Sequence, residues 1–296
     1  MRNPFFKKAA VLLLTLFLFC GVLTLPSFAD ADMRRIVIGA DLTDEQINTV
    51  YSLLEMNRGE ITELRLSNQE EREALEGYVE SAVIGTRSMS CVYLELMPQG
   101  SGISVITKNI SWCTPEMYRS ALTTAGIQDA RLAVAAPFSV SGTAGLAGVY
   151  KAYEDMTGQH LDDMAKDAST QELTITGDLA NEIGSQDSAS IVGDLKKILN
   201  ETVNMTDDEV RSTIRKIAGP YHVELTDAQV EQLLNLCRSL ERLDPGSLTQ
   251  KVDDFHDTLE KVTDAKEQVV GVMHSIRQAV ESVKNFFQRL NGLFGH

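Results

Sequence analysis

The residue types best suited to chemistry lie between Gly85 and Gly148, the least polar part of the chain after its N-terminal segment. Ser139-Val140-Ser141-Gly142-Thr143-Ala144-Gly145 follows an apolar stretch and opens what reads as a helix. A glycine-rich turn in that setting presents free backbone amides, where an anion can sit. Ser139, Ser141, Gly142 and Thr143 are therefore candidate ligand-binding residues, with Arg87 and Asn109 as polar helpers from adjoining strands. The competing reading is structural: Ser141 caps the helix, and Gly142, Ala144, Gly145, Ala147 and Gly148 let it lie close on a sheet. The turn lacks the GxGxxG of dinucleotide sites. Asn109, Ser111 and the single tryptophan, Trp112, end a strand. A polar cluster with one aromatic suits a carbohydrate- or peptide-contacting edge, or simply the core.

Sets that would carry catalysis are missing. The five histidines (His160, His222, His256, His274, His296) lie beyond this stretch, and no two have zinc-ligand spacing. There is no CxxC, Walker lysine motif or GxSxG. Asp162, Asp163 and Asp167 lack the glycine and closing glutamate of an EF-hand loop and read as a solvated helix face. The sequence therefore predicts no cofactor and no metal, and leans away from an enzyme.

The N-terminus has the form of an export signal. Arg2, Lys7 and Lys8 precede an apolar run from Ala9 to Leu25, and Ser27-Phe28-Ala29 supplies small residues for cleavage after Ala29, with Ala31 as a second choice. The alternative is an uncleaved membrane anchor near the lower length limit. Cleavage removes three positive charges, taking the formal charge from −15 to −18. That acidity argues against nucleic acid as a partner. An exported protein is expected to be extracellular or held in the cell envelope, where disulfides are permitted. Cys91 and Cys113 fall on the two arms of an expected hairpin, 87–97 and 103–110. A tight turn at 99–102 would pair Cys91 with about residue 110, so a bridge needs a looser loop or a bulge, and the pairing stays open. Cys237 shares helical spacing with Val230, Leu233, Leu234 and Leu240 and reads as a buried thiol.

These residues need a scaffold, and the pattern supplies a mixed α/β one. Residues 34–42 read as a strand. Thr43-Asp44-Glu45-Gln46 is a capping box opening a helix with Ile47, Val50, Tyr51 and Leu54 on one face. Residues 61–67 alternate as a half-buried strand, and Asn68 opens a helix that stops at Gly77. The same grammar recurs 71 residues later, from Thr114-Pro115-Glu116 through Leu132–Ala136 to Leu146-Ala147-Gly148. It suggests a two-layer domain, 30–157, built from a duplicated strand–helix–strand–helix unit with the hairpin between copies. LAVAA (132–136) lacks alternation, as a central strand covered on both faces would.

Residues 158–245 read as helices, including one at 188–203 and two opened by capping boxes at Thr206 and Thr226. From Leu248 apolar residues step by four and three through Val252, Phe255, Leu259 and Val262 to Phe287, Leu290 and Phe294, with Lys266 the one interruption. A helix over 246–296 would reach about 70 Å. Its stripe can close an intramolecular bundle, form a coiled coil with a protein partner or a second copy, or, through 272–296, meet a membrane surface.

The runs IGTRSMS, GSGISVITKNISW and MYRSALTTAGIQDARLAVAAPFSVSGTAGLAGVYKAYEDMTG resemble the YpuA-like family of exported proteins from Gram-positive bacteria, defined by a domain of unknown function (number 1002). The resemblance starts near Ile36, covers most of the chain and is strongest over 84–158. It implies export and brings no catalytic or ligand residues. The reading favoured by the sequence is a non-enzymatic envelope or extracellular assembly protein using its C-terminal helix. The alternative is an exported enzyme or small anionic-ligand binder using the turn 139–145.

Overall fold

A computed structural model describes residues 32–246 and Leu248, apart from Glu76 and Glu80. The signal segment and the heptad stripe beyond Leu248 lie outside the described residues. The fold is α+β. Five strands, β1 (Arg34–Gly39), β2 (Thr62–Leu66), β3 (Cys91–Leu96), β4 (Ile103–Ile110) and β5 (Ala130–Val140), form one sheet in the order β2-β1-β3-β5-β4. β1 pairs parallel with β2 and β4 parallel with β5, whereas β3 is antiparallel to both β1 and β5.

The expected hairpin is corrected by this order. Both arms are strands, but β5 lies between them. Leu96 and Ile103 both pair with Ala130, from opposite sides. The segment joining β3 to β4 therefore spans two strand spacings, roughly 9–10 Å, which a two-residue turn cannot do. It wraps the start of β5: the Met97 amide donates to the Asp129 carbonyl (3.0 Å) and the Gly102 amide to Asp129 Oδ1 (2.8 Å).

Alternate residues of a strand point to opposite faces, and each face has its own helices. Ile36, Ile38, Cys91, Tyr93, Ala133 and Ala135 pack with Ile47, Val50 and Tyr51 of α1 (Asp44–Leu53). Val37, Val92, Leu94, Leu132 and Val134 pack on the other side with α4 (Pro115–Thr124) and α5 (Ala144–Thr157). Residues 132–136 are all buried, as their unbroken apolar run predicts. The sheet thus carries a helix layer on both sides, one layer more than the sequence suggested. Strand, capped helix, strand and helix do recur in order, with capping boxes at Thr43 and Thr114. The two copies differ in packing, since α1 and α4 lie on opposite faces. The same parity places Cys91 with α1, whereas Cys113 packs with α4. Both are free thiols, so the Cys91–Cys113 bridge is not formed.

The first repeat closes with α2 (Asn68–Leu75), and the single turn α3 (Ser81–Ile84) follows it before β3. After α5 the chain is helical: α6 (Asp163–Ile183), α7 (Ser185–Lys197), α8 (Leu199–Thr202), α9 (Asp207–Ala218) and α10 (Asp227–Glu241). The helix expected over 188–203 is two helices that meet at Ile198. The Thr206 and Thr226 capping boxes open α9 and α10 as read. Cys237 is buried among Val230, Leu233, Leu234 and Leu240.

A buried ion pair clasps this region to the sheet domain. Lys196 Nζ on α7 lies 3.0 Å from Glu172 Oε1 on α6, and each side chain is 1% exposed. Lys196 also donates to the Ser120 hydroxyl (3.1 Å) and the Thr124 hydroxyl (2.9 Å) on α4, while those two hydroxyls donate to the two Glu172 oxygens. Removing one partner of such a pair strands a charge in the interior, at a cost of roughly 3–5 kcal/mol. Lys196→Met is expected to lose stability of that order in denaturant unfolding. Lys196→Met combined with Glu172→Leu should regain most of it. A single-variant loss as small as that of a surface substitution, about 0.5 kcal/mol, would disprove the clasp.

Candidate functional site

The four mutually parallel strands all end at one edge of the sheet. There β1 leaves toward α1 on one face, and β5 leaves through Ser141 and Gly142 toward α5 on the other. Connections that part to opposite faces at the carboxyl ends of strands open a crevice, the usual ligand position in sheets of this kind. The residues entering β3, Ser88 to Ser90, run between the two exits. The cleft formed here has a volume of about 490 Å³, within the rough 300–1,000 Å³ range of small-molecule sites.

Three segments bring side chains to it. From the turn come Ser139, Ser141 and Thr143; from the end of β4 come Ser111 and Trp112; from the β3 approach come Arg87, Met89 and Ser90. The fourth contributor is Glu71 on α2. That helix is opened by a reciprocal cap in which the Glu70 amide donates to Ser67 Oγ (3.2 Å) and the Ser67 amide to Glu70 Oε2 (2.8 Å). Glu71 and Leu75, four residues apart, therefore share the inward face and are both buried.

Glu71 is 1% exposed yet lacks a charge partner in contact. Its Oε1 accepts from the Thr143 hydroxyl at 3.0 Å, and its Oε2 has no hydrogen-bond partner. Asn68 Nδ2 and Ser88 Oγ are also buried; they stand close enough to the carboxyl to act on it, though neither makes a full hydrogen bond. Burial pushes the carboxyl from its ordinary 4.5 up to about 7, against the opposing pull of Thr143, Asn68, Arg72 and Ser88. The acid thus changes charge near neutrality.

The turn divides into a lining side and a supporting side. Ser141 Oγ lies 3.3 Å from the Thr143 hydroxyl and donates to the Val83 carbonyl at 3.2 Å. Thr143, not Ser141, is the residue before α5, and its hydroxyl is committed to Glu71 instead of capping the helix. Gly142 faces away. Its φ is +98°, and a Cβ there would lie 2.4 Å from Ile110 Cγ2 and 2.9 Å from the Tyr118 hydroxyl. That hydroxyl donates to the Gly142 carbonyl, so this glycine shapes the turn and does not line the cleft.

Arg87 is exposed at the rim, its guanidinium donating to the Asp41 carbonyl at 3.1 Å. Asn109 is not brought to the cleft. It is the bulge residue of β4, left-handed at φ +59°, with its amide nitrogen on the Ala136 carbonyl at 2.9 Å. Trp112 is half-buried, with its six-membered ring against Gly177 of α6, where a Cβ would meet Cζ2 at 2.3 Å. The thiols stand apart from any reaction: burial pushes Cys91 up to about 11 and Cys113 and Cys237 to about 12. Among the described residues no cluster of three His, Cys, Asp or Glu side chains is placed to hold a metal, and no helix is long and apolar enough to cross a membrane.

Sequence reasoning missed Glu71. The available signal was position: Glu71 falls where the Leu75 stripe predicts an apolar residue, and an acid at such a place is either paired or functional.

Comparison with known proteins agrees with the long motifs of 84–158. The family described as a protein of unknown function (DUF1002) matches residues 38–262. The chain belongs to this family. It is similar to the uncharacterized protein YpuA of Bacillus subtilis (strain 168), 33% identical over 269 residues, which cover 87% of this chain and 92% of that one. No solved structure matches.

Glu71 gives the site a measurable signature. Because its folded value is raised, the native state holds its proton longer than the unfolded chain. Its contribution to stability is fully present below pH 4.5 and is lost as pH rises to about 7, a change on the order of 3 kcal/mol. Glu71→Gln should remove this component. Unfolding free energies of the two proteins are expected to agree near pH 4.5 and to diverge above pH 7 in favour of the variant. Parallel pH profiles would show that Glu71 is not a buried, titrating acid.

Proposed function

We propose that this DUF1002 protein is exported and acts as a binding protein, its sheet domain holding a small polar molecule in the cleft beside Glu71. The observation that carries this reading is the unpartnered Glu71 Oε2 in a cleft of ligand size. An orphaned buried oxygen costs the fold about 1–3 kcal/mol, a cost that a bound donor offsets. Ser90, Ser139 and Ser141 line the same cleft; Ser141 already donates to the Val83 carbonyl, which leaves its oxygen to accept.

A non-enzymatic role is supported by what the lining holds. It has one buried acid and no histidine, cysteine or lysine among the described residues. Export is supported by the sequence of residues 1–31, and assembly with another chain or docking on a membrane surface by the heptad stripe from Leu248 onward.

Two measurements test the proposal. Protein incubated with a polar cell extract, desalted and examined by native mass spectrometry should carry a small added mass that is lost in Ser141→Leu; equal occupancy of both would place the ligand elsewhere. N-terminal sequencing of the secreted product should begin at Asp30 or Asp32, and a product retaining residues 1–29 would overturn cleavage.

A further inference from the structure

We propose that the ligand is a neutral sugar ring, gripped through its hydroxyls by Glu71 and the serines of the turn and backed by Trp112. This rests on the cleft being a ligand site and goes further by naming the ligand's chemistry. Three observations carry it. The first is the Glu71 oxygen without a partner, an acceptor buried in the cleft. Hydroxyl donors suit it without importing charge, whereas a carboxylate or phosphate would be repelled whenever Glu71 is ionised.

The second is the serine set. Ser90, Ser139 and Ser141 line the same cleft, and Ser139 carries no assigned role in the fold. A ring with several hydroxyls is recognised by groups of this kind, because each hydroxyl donates one hydrogen bond and accepts others. The third is Trp112, the one aromatic side chain in the lining. Half-buried and packed on Gly177, it offers the cleft an apolar surface of the kind that complements the C–H face of a pyranose.

Trp112 is the sole tryptophan of the chain, so its fluorescence reports on the cleft without labelling. The full secreted chain is titrated with glucose, galactose, mannose, N-acetylglucosamine and their disaccharides, and separately with inorganic phosphate, acetate and methylammonium. Saturable changes are expected with at least one sugar and with none of the ions. Glu71→Leu, checked for folding by circular dichroism, should weaken that sugar by roughly tenfold or more, as for the loss of a hydrogen bond to a charged group. Ser141→Ala should weaken it less. Saturation-transfer NMR should place the ring C–H protons of the sugar nearest the protein.

Binding that is stronger for a disaccharide than for its monomer identifies the end of a chain as the source, and equal binding a free sugar. Saturation by an ion but by no sugar overturns the sugar while leaving the cleft a ligand site. A sugar held equally by Glu71→Leu overturns the seat proposed here. If no compound perturbs Trp112, and Ser141→Leu also leaves the bound mass unchanged, both the sugar and the cleft reading fall.

Discussion

Helix α4 is the constraint on which the rest of the molecule depends, because it is held on two sides by buried polar contacts. On one side the Tyr118 hydroxyl, fully buried, donates to the Gly142 carbonyl beneath the glycine-rich turn. Gly145 extends the same contact, since a Cβ there would sit 2.3 Å from the Tyr118 oxygen. On the other side Ser120 and Thr124 are locked to Glu172 and Lys196. Neither contact tolerates much slack, since each leaves a buried polar group unsatisfied if it opens. The turn that lines the cleft and the helices that follow α5 are therefore referenced to the same ten-residue helix. The glycines are there for α4, and their absence of side chains is a packing requirement.

Local grammar was legible from the residues alone. Capping boxes at Thr43, Thr206 and Thr226 were read correctly because the cap is a contact between residues three apart. The strands were legible for the same reason. Which strands are neighbours was not. Residues 87–97 and 103–110 look like a hairpin because they are adjacent in sequence. Their true neighbour is β5, whose uniform burial requires a partner on each side. That long-range demand outweighs local proximity, and it also separates Cys91 from Cys113 across the sheet.

The cleft was half legible. Ser139, Ser141, Thr143 and Arg87 were found by type and by position at a turn, and all four line it. Gly142 and Asn109 were chosen on the same grounds and proved to serve the backbone, one under α4 and one in a bulge. A turn has two sides, and sequence does not say which side faces a ligand. Glu71 comes from a segment remote from the turn, so its convergence on the cleft follows only from the sheet order. What the sequence does contain is a mismatch, an acid on the inward stripe of α2.

That mismatch argues for function in its own right. A leucine at position 71 would continue the stripe set by Leu75 and would need no partner. Instead the chain keeps a carboxyl whose ionisation is opposed by burial, next to an amide and a hydroxyl that also lack partners. Most buried polar groups are satisfied, so several orphans in one place call for a physical reason. Stability does not supply one, because each orphan subtracts from it. An incoming group that completes the set is what the proposed function supplies, and rules of local consistency are broken most often at such sites.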